Sequence, residues 1–131
     1  NMKIFYLFGL MILLLSSCND TSGTYLISEV TFKDNNLSEQ EKQETINEFL
    51  NREVHLTVLT EKVELVLSDK PSTSKIILQR TSNNYYSTTD GNITINLELA
   101  NKNFVQTQYR LIEYGSTNDK FFNLYMTLDR Q

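Results

Sequence analysis

Apolar and polar residues alternate along most of the chain, which is the pattern of β-strands with one buried face and one wet face. The alternation is clearest in ITINLEL, where Ile93, Ile95, Leu97 and Leu99 are separated by polar side chains. Related patterns occur in TYLISEVTF, VHLTVL, KVELVL, SKIILQRT, NNYYSTT, FVQTQYRLIEYG and FFNLYMTLDR. The pattern therefore predicts about eight short strands, most with a single apolar face.

Turn residues separate these segments at short intervals. Thr60-Glu61 reads as a tight hairpin turn, and Asp90-Gly91 is a strong hairpin signal. Pro71 interrupts strand pairing because proline lacks the backbone N–H of a ladder. Gly91 and Gly115 are isolated, and we expect turn geometry to account for both. Consecutive strands are thus predicted to be joined as hairpins.

One segment, NNLSEQEKQETINEFLN, has a helical signature instead. Ser38 with Glu41 three residues later forms a capping box, so the helix is expected to begin at Glu39. Ile46, Phe49 and Leu50 give it only a narrow apolar face near its end. A helix of this kind is expected to lie on a surface or a rim rather than inside a core.

These elements predict a mainly β fold: an up-and-down antiparallel meander of about eight strands closed into a barrel, with one helix between strands 1 and 2. Closure is favoured because an open meander of this length exposes two unpaired edges. The alternative is an α+β fold in which a curled antiparallel sheet packs on the helix. An eight-stranded barrel has room inside for packed side chains or one small ligand.

The N-terminus has a different character from the rest. Met2-Lys3 gives a short positive start, the residues from Ile4 to Leu15 are almost all apolar, and small serines follow. This order is typical of a secretory signal, and the apolar run is shorter than the ~20 residues of a membrane-spanning helix. We therefore predict a signal peptide over residues 1–17, in preference to a retained anchor helix.

Leu15-Ser16-Ser17-Cys18 resembles the bacterial lipobox, and Cys18 is the only cysteine of the chain. The resemblance implies that Cys18 becomes the first mature residue and carries diacylglycerol and an N-acyl chain, which together anchor a protein stably. It divides the chain into a signal peptide (1–17), a short tether (18–22) and a barrel domain (23–131). The predicted location is the cell envelope, at the outer membrane, with the periplasmic face favoured over the cell surface.

Gly23-Thr24-Tyr25, at the head of the first strand, resembles the Gly-x-Trp opening of lipocalin-like barrels, with Tyr in place of Trp. In that family an arginine late in the chain covers the aromatic ring, and Arg130 is the matching residue, by a cation–π contact. A helix after the first strand is similar to the lid of the related fatty-acid-binding barrels. The resemblance implies a small apolar or amphipathic ligand inside the barrel, with Tyr25, Tyr86, Tyr109 and Arg130 as candidate ligand-binding residues.

Composition excludes several functions. The chain has 131 residues, 12 basic against 16 acidic, a net charge of -4 and no basic cluster, so nucleic acid is not expected as a partner. His55 is the only histidine and alternates with Val54 and Leu56, so it is expected to face water. Without a second histidine or a free thiol, we predict neither a nucleophilic catalytic site nor a zinc site, and no cofactor.

Two non-catalytic functions stay open at this point, and an enzyme, which would need a deep pocket containing carboxylates with shifted pKa values, is the least favoured third. The first is a non-catalytic, lipid-anchored module that binds a small apolar or amphipathic ligand. The second is a protein–protein role, as an inhibitor or immunity protein or as an accessory subunit of an envelope complex, which an acidic surface would suit. The tyrosines 85, 86, 109, 114 and 125 are compatible with either function. Strand propensity favours a packing role over a recognition role for them.

Overall fold

The structure is a computed structural model that describes residues 21–68 and 75–131. Eight strands and one helix make up this part of the chain. The elements are β1 Gly23–Asn35, α1 Glu39–Phe49, β2 Glu53–Val58, β3 Lys62–Leu67, β4 Ile76–Ser82, β5 Tyr85–Asp90, β6 Ile93–Lys102, β7 Thr107–Thr117 and β8 Lys120–Arg130.

The strands form one closed barrel in which each strand pairs antiparallel with the next and β8 pairs with β1. The closing ladder is long, from Tyr25 opposite Arg130 to Asn35 opposite Phe122. Two register shifts interrupt it, one between Ile27 and Glu29, and such irregularities bend a strand and increase its twist. The bends let β1 pair with β2 at its start and with β8 along most of its length. The predicted up-and-down barrel is confirmed, and the open curled sheet is not what forms.

The core follows the alternation along the strands. Val54, Leu56, Val63, Leu65 and Leu78 are nearly inaccessible to water, and the side chains between them face outward. Burying side chains of this size stabilises the fold by about 1.5–3 kcal/mol each. The rest of the buried core cluster comes from the other strands: Tyr25, Ile27, Tyr86, Leu97, Tyr109, Leu111, Leu124, Met126 and Leu128.

Helix α1 lies against the rim of the barrel. Its capping box is present, since Ser38 Oγ accepts from the Glu41 N–H and the Glu41 carboxylate accepts from the Ser38 N–H. No residue of the helix is fully buried, which confirms the expected rim position. Phe49 packs against the core cluster, whereas Leu50 follows the helix and is exposed.

The glycines of the hairpins have different roles. Gly91 lies in the β5–β6 turn with a positive φ of 60°, as a hairpin turn requires. Because Asp90 pairs with Ile93, the two turn residues are Gly91 and Asn92, one position later than the predicted Asp90-Gly91. Gly115, in contrast, lies within β7 directly opposite Phe122 of β8. A Cβ atom at Gly115 would overlap the Phe122 ring. The prediction that Gly115 serves a turn was therefore wrong, because it serves a close cross-strand contact.

This contact predicts that Gly115→Ala destabilises the protein. A methyl group there forces the Phe122 ring out of its place, and overpacking of this kind costs about 1–3 kcal/mol. Urea unfolding followed by circular dichroism measures the change. Ser116→Ala is the matched control, because Ser116 is the exposed neighbour in the same strand and should change stability little. Equal stability of the two variants would show that the ring does not lie over Gly115.

Candidate functional site at the open end of the barrel

One end of the barrel is filled by side chains. Tyr25 and Tyr109 are almost fully buried there, with ring centroids 5.5 Å apart in an edge-to-face arrangement. The Tyr25 hydroxyl donates to the backbone carbonyl of Thr21 at 2.5 Å, and the hydroxyls of Thr21 and Tyr109 hydrogen-bond at 2.7 Å. Residues 21–25 therefore form a plug, and we call this the closed end.

The remaining predicted ligand-binding residues lie in the ladder of the closed end and in the core. Arg130 is opposite Tyr25 in the β1–β8 ladder, and its guanidinium group lies beside Gly23. Tyr86 points into the core from β5 and is 8% exposed. The structure thus pairs Arg130 with Tyr25 in the backbone ladder at the closed end, and the cation–π contact that the resemblance implied stays a prediction.

At the opposite end the described residues form no such plug, and α1 lies across part of it. A cavity of about 260 Å³ lies between the helix and the inner wall. The helix lines it with Glu41, Thr45, Glu48 and Phe49, which recur at helical spacing on one face. The barrel wall contributes Phe32, Phe122, Leu124 and Glu113, and Leu37 closes the side before the helix.

A second cavity, of about 520 Å³, lies where β4 and β5 separate. Their ladder extends from Ser82 opposite Tyr85 only as far as Gln79 opposite Ser87. Beyond it the two strands leave a gap in the wall, and residues of both strands and of β6 line that gap. The lining comprises Lys75, Ile76, Ile77, Thr88, Thr89, Asp90, Ile93, Ile95 and Glu113.

Glu113 lines both cavities and is the link between them. It follows Tyr109 and Leu111 on the inward face of β7, so the fold directs its carboxyl toward the interior. Burial, and secondly the negative charge of Glu48, raise the pKa of Glu113 above its ordinary value. Among the described residues no cation forms a salt bridge with it. The site is therefore a mouth of mixed apolar and polar residues, with the poorly solvated acid Glu113 shared by its two cavities.

Other charges around the mouth are already engaged. Glu41 of α1 pairs with Lys120 at the β7–β8 turn. The hydrogen bond from Lys120, followed by those from Ser38, lowers the pKa of Glu41. Lys75 pairs with Glu64 at 2.9 Å. These pairs leave Glu48, Glu113 and Asp90 as the charges facing the cavities.

The helix is held over the mouth from both ends. At its start, Asn36 accepts from the Phe121 N–H at 2.8 Å and also donates to the carbonyl of Asp119. At its end, the Asn51 N–H donates to the carbonyl of Ile27 at 2.8 Å. Helix α1 therefore covers the site and is hydrogen-bonded to the β7–β8 turn at one end and to β1 at the other.

None of the four residues predicted from the sequence to bind a ligand lines either mouth cavity, and their role in binding stays a prediction. Cys18 lies outside the described residues. His55 is exposed, as expected, and its Nδ1 is 3.0 Å from Thr24 Oγ1. Sequence reasoning missed Glu113, although an acid in the inward positions of an otherwise apolar strand is a signal that was available.

The outer wall carries a separate group of aromatic residues on β5, β7 and β8. Tyr114 and Tyr125 hydrogen-bond to each other, and this bond is the main cause that raises the pKa of Tyr114. Lys33 lies 5.5 Å from the centre of the Tyr125 ring, within cation–π range. Ile112 beside them is on the outer face yet only 7% exposed. The tyrosines therefore divide into core residues (25, 86, 109) and partly exposed wall residues (85, 114, 125).

The fold and the mouth define this chain as an eight-stranded up-and-down β-barrel, plugged at one end and open beneath a helix at the other. Neither a scan against models of protein families nor a search of curated proteins finds a match for it. In the part of the chain that the structure describes, no helix has the length and apolarity needed to cross a bilayer.

The buried acid predicts that Glu113→Gln stabilises the protein at neutral pH. The ordinary pKa is 4.5 and the folded value is higher, so the folded state binds this proton more tightly than the unfolded chain does. Ionisation of Glu113 therefore lowers the free energy of unfolding at pH values above the folded-state pKa. Below the pKa of the unfolded chain it has no effect, because the carboxyl group is protonated in both states. We expect a gain of about 0.5–2 kcal/mol at pH 7, the range usual for removing an unfavourable charge.

Chemical unfolding of both proteins at pH 7 and below pH 4.5 measures the difference, which should disappear in acid. Glu98→Gln is the control, because Glu98 lies in neighbouring β6 opposite Arg110 and lines neither cavity. A Glu113→Gln protein that is less stable than the parent at pH 7 would mean that the carboxylate has a stabilising partner.

Proposed function

We propose that this protein is a non-catalytic, lipocalin-like binding module of the cell envelope, which takes a small amphipathic ligand at its open end. The observation that carries the proposal is Glu113, a half-buried acid that lines both cavities of the mouth. The larger cavity, at about 520 Å³, falls in the ~300–1,000 Å³ range of small-molecule sites. Sites of this class combine apolar walls with a few placed polar groups. Phenylalanine and leucine side chains line the smaller cavity, whereas isoleucine, threonine and charged side chains line the larger one.

The chemistry of the mouth favours a cationic head group on the ligand. An ionised Glu113 is poorly solvated and faces Glu48, so a bound cation relieves both the desolvation and the repulsion. The phenylalanines Phe32, Phe49 and Phe122 provide the apolar surface for an attached chain. Each methylene group that leaves water contributes about 0.8 kcal/mol. An alkylammonium compound thus matches the site better than a fatty acid does.

Isothermal titration calorimetry with decyltrimethylammonium, decanol and decanoate tests this proposal. We expect the cation to bind most tightly, and Glu113→Gln to weaken it about tenfold, equivalent to ~1.4 kcal/mol, while leaving decanol unchanged. Lowering the pH through the pKa of Glu113 should weaken cation binding as well, because protonation removes the charge. Glu98→Gln is again the control and should bind all three compounds as the parent does.

The outcomes separate the parts of the proposal. If none of the three compounds binds, the ligand-binding function is wrong. If decanol or decanoate binds as tightly as the cation, the barrel is a binding module but Glu113 does not select the ligand.

The membrane anchor is a further part of the proposal, and it rests on the sequence of residues 1–18. Thr21 and Ser22, the described part of the predicted tether, pack against the closed end. From Cys18 to Thr21 the chain spans at most about 11 Å when extended. Lipid on Cys18 would therefore hold the closed end near the bilayer and leave the mouth on the far side, open to ligands arriving through the aqueous phase.

Expression of the full chain in a bacterium with radiolabelled palmitate tests the anchor. The parent should incorporate label and fractionate with membranes, because Cys18 is its only thiol. Cys18→Ser should incorporate none and retain its full-length mass, since the signal segment is not removed. Label on the Cys18→Ser protein would contradict the assignment.

A protein–protein role is the second candidate, favoured by the wall tyrosines. Tyr114 and Tyr125 present a stiff aromatic surface with polar tips, a composition suited to recognition. An envelope pull-down comparing the parent with Tyr125→Ala distinguishes this role. Loss of a stoichiometric partner in the variant alone would favour it over ligand binding.

A further inference from the structure

The closed end of the barrel carries an apolar tip. Phe104 and Val105, in the loop between β6 and β7, are fully exposed, at 108% and 95% of their reference areas. Leu59, in the turn between β2 and β3 at the same end, is 44% exposed. Apolar residues this large at the tip of a loop lose hydrophobic stabilisation unless a partner covers them.

The β6–β7 loop is built to present these side chains. Asn103 Oδ1 accepts from the N–H groups of Val105 and Gln106, at 2.9 and 2.8 Å, and the Asn103 N–H donates to the Gln106 carbonyl at 3.0 Å. The Gln106 amide then donates to Asp129 of β8 at 2.8 Å. These bonds order the backbone of a tight loop, so presenting its two exposed apolar side chains to a partner costs little further backbone entropy.

Basic and acidic side chains are distributed unequally between the two ends of the barrel. The closed end has Lys62 at the start of β3, Arg80 late in β4, Lys102 at the end of β6 and Arg130 at the end of β8. Glu61, Glu98 and Asp129 are the acids beside them, and Arg110 lies opposite Glu98. At the open end, α1 alone contributes four glutamates against one lysine: Glu39, Glu41, Glu44 and Glu48 against Lys42. A protein of net charge -4 thus has basic side chains grouped around its apolar tip.

The N-terminal segment leaves the barrel at this same end. Ser22 Oγ accepts from the Val58 N–H at 2.7 Å, which places the incoming chain beside the β2–β3 turn and Leu59. The segment before it contains Cys18, the predicted site of lipid attachment. The predicted membrane anchor is therefore connected to the barrel at its apolar, basic end.

From these observations we propose that the closed end docks on an anionic lipid bilayer, with Phe104 and Val105 inserted at the interface and the basic side chains against the head groups. Basic residues near such a surface are attracted to its anionic head groups, and inserted apolar side chains add to this attraction. Neither term is large alone, but the N-terminal connection keeps the end close to the surface and raises its effective concentration there. Docking fixes the barrel upright, with α1 and Glu113 facing away from the membrane.

The chain has no tryptophan, so a single introduced tryptophan reports on its own position. The experiment uses the full chain in vesicles of phosphatidylcholine and phosphatidylglycerol that contain brominated lipid. Phe104→Trp places the reporter at the closed end. Phe121→Trp, in an exposed position beside the β7–β8 turn at the open end, is the matched control.

We expect Phe104→Trp fluorescence to shift to shorter wavelength and to be quenched by brominated lipid at least about twofold more than that of Phe121→Trp. Replacing phosphatidylglycerol with phosphatidylcholine, or raising the salt, should weaken the quenching. Equal quenching of the two variants would overturn the proposal, since the barrel would then lie on its side. Absence of quenching at position 104 would also overturn it and assign the tip to a protein partner. Lipid attachment is measured separately on Cys18, so its failure is distinguishable from failure of docking.

Discussion

The pairing of β1 with β8 is the interaction on which the rest of the structure depends. It converts a meander of hairpins into a ring in which every strand has a partner on both sides, and β4 and β5 separate over only part of their length. The irregularities of register in β1, such as that between Ile27 and Glu29, provide the curvature that the closure requires. Because β1 pairs with β2 as well, its residues link the first and last parts of the chain. The interior exists only because this ring is closed.

Closure produces two ends, and the sequence makes them chemically different. At the closed end, Tyr25 and Tyr109 fill the interior and satisfy their hydroxyls through Thr21. At the open end, Gly115 allows the Phe122 ring to lie flat against the wall, and Glu113 occupies an inward position that alternation would otherwise give to an apolar residue. An unpaired acid at such a position reduces stability, and a cost of this kind is usual at functional sites. The proposed ligand site and the proposed bilayer contact are thus consequences of one polarised barrel.

Much of the fold could be predicted because local patterns agree with the global structure. Two-residue alternation gave the strands, and the Ser38–Glu41 capping box gave the start of the helix. The site could not be predicted in the same way. Which residues face each other across strands depends on register, so the contact of Gly115 with Phe122 and the separation of β4 from β5 are not visible in the sequence. The sequence prediction took aromatic residues as ligand contacts and therefore named Tyr25 and Tyr109. The strand register places both of them in the plug at the closed end.

The most direct test of ring closure is nuclear magnetic resonance of the labelled protein, because cross-strand contacts and amide exchange report on β1 and β8 without assuming a function. Closure predicts nuclear Overhauser contacts between paired residues of the two strands, such as Phe32 with Leu124 and Ile27 with Leu128, and slow exchange of the amides that pair across this ladder. Absence of these contacts, with fast exchange along both strands while β6 and β7 stay protected, would show an open sheet and contradict the account.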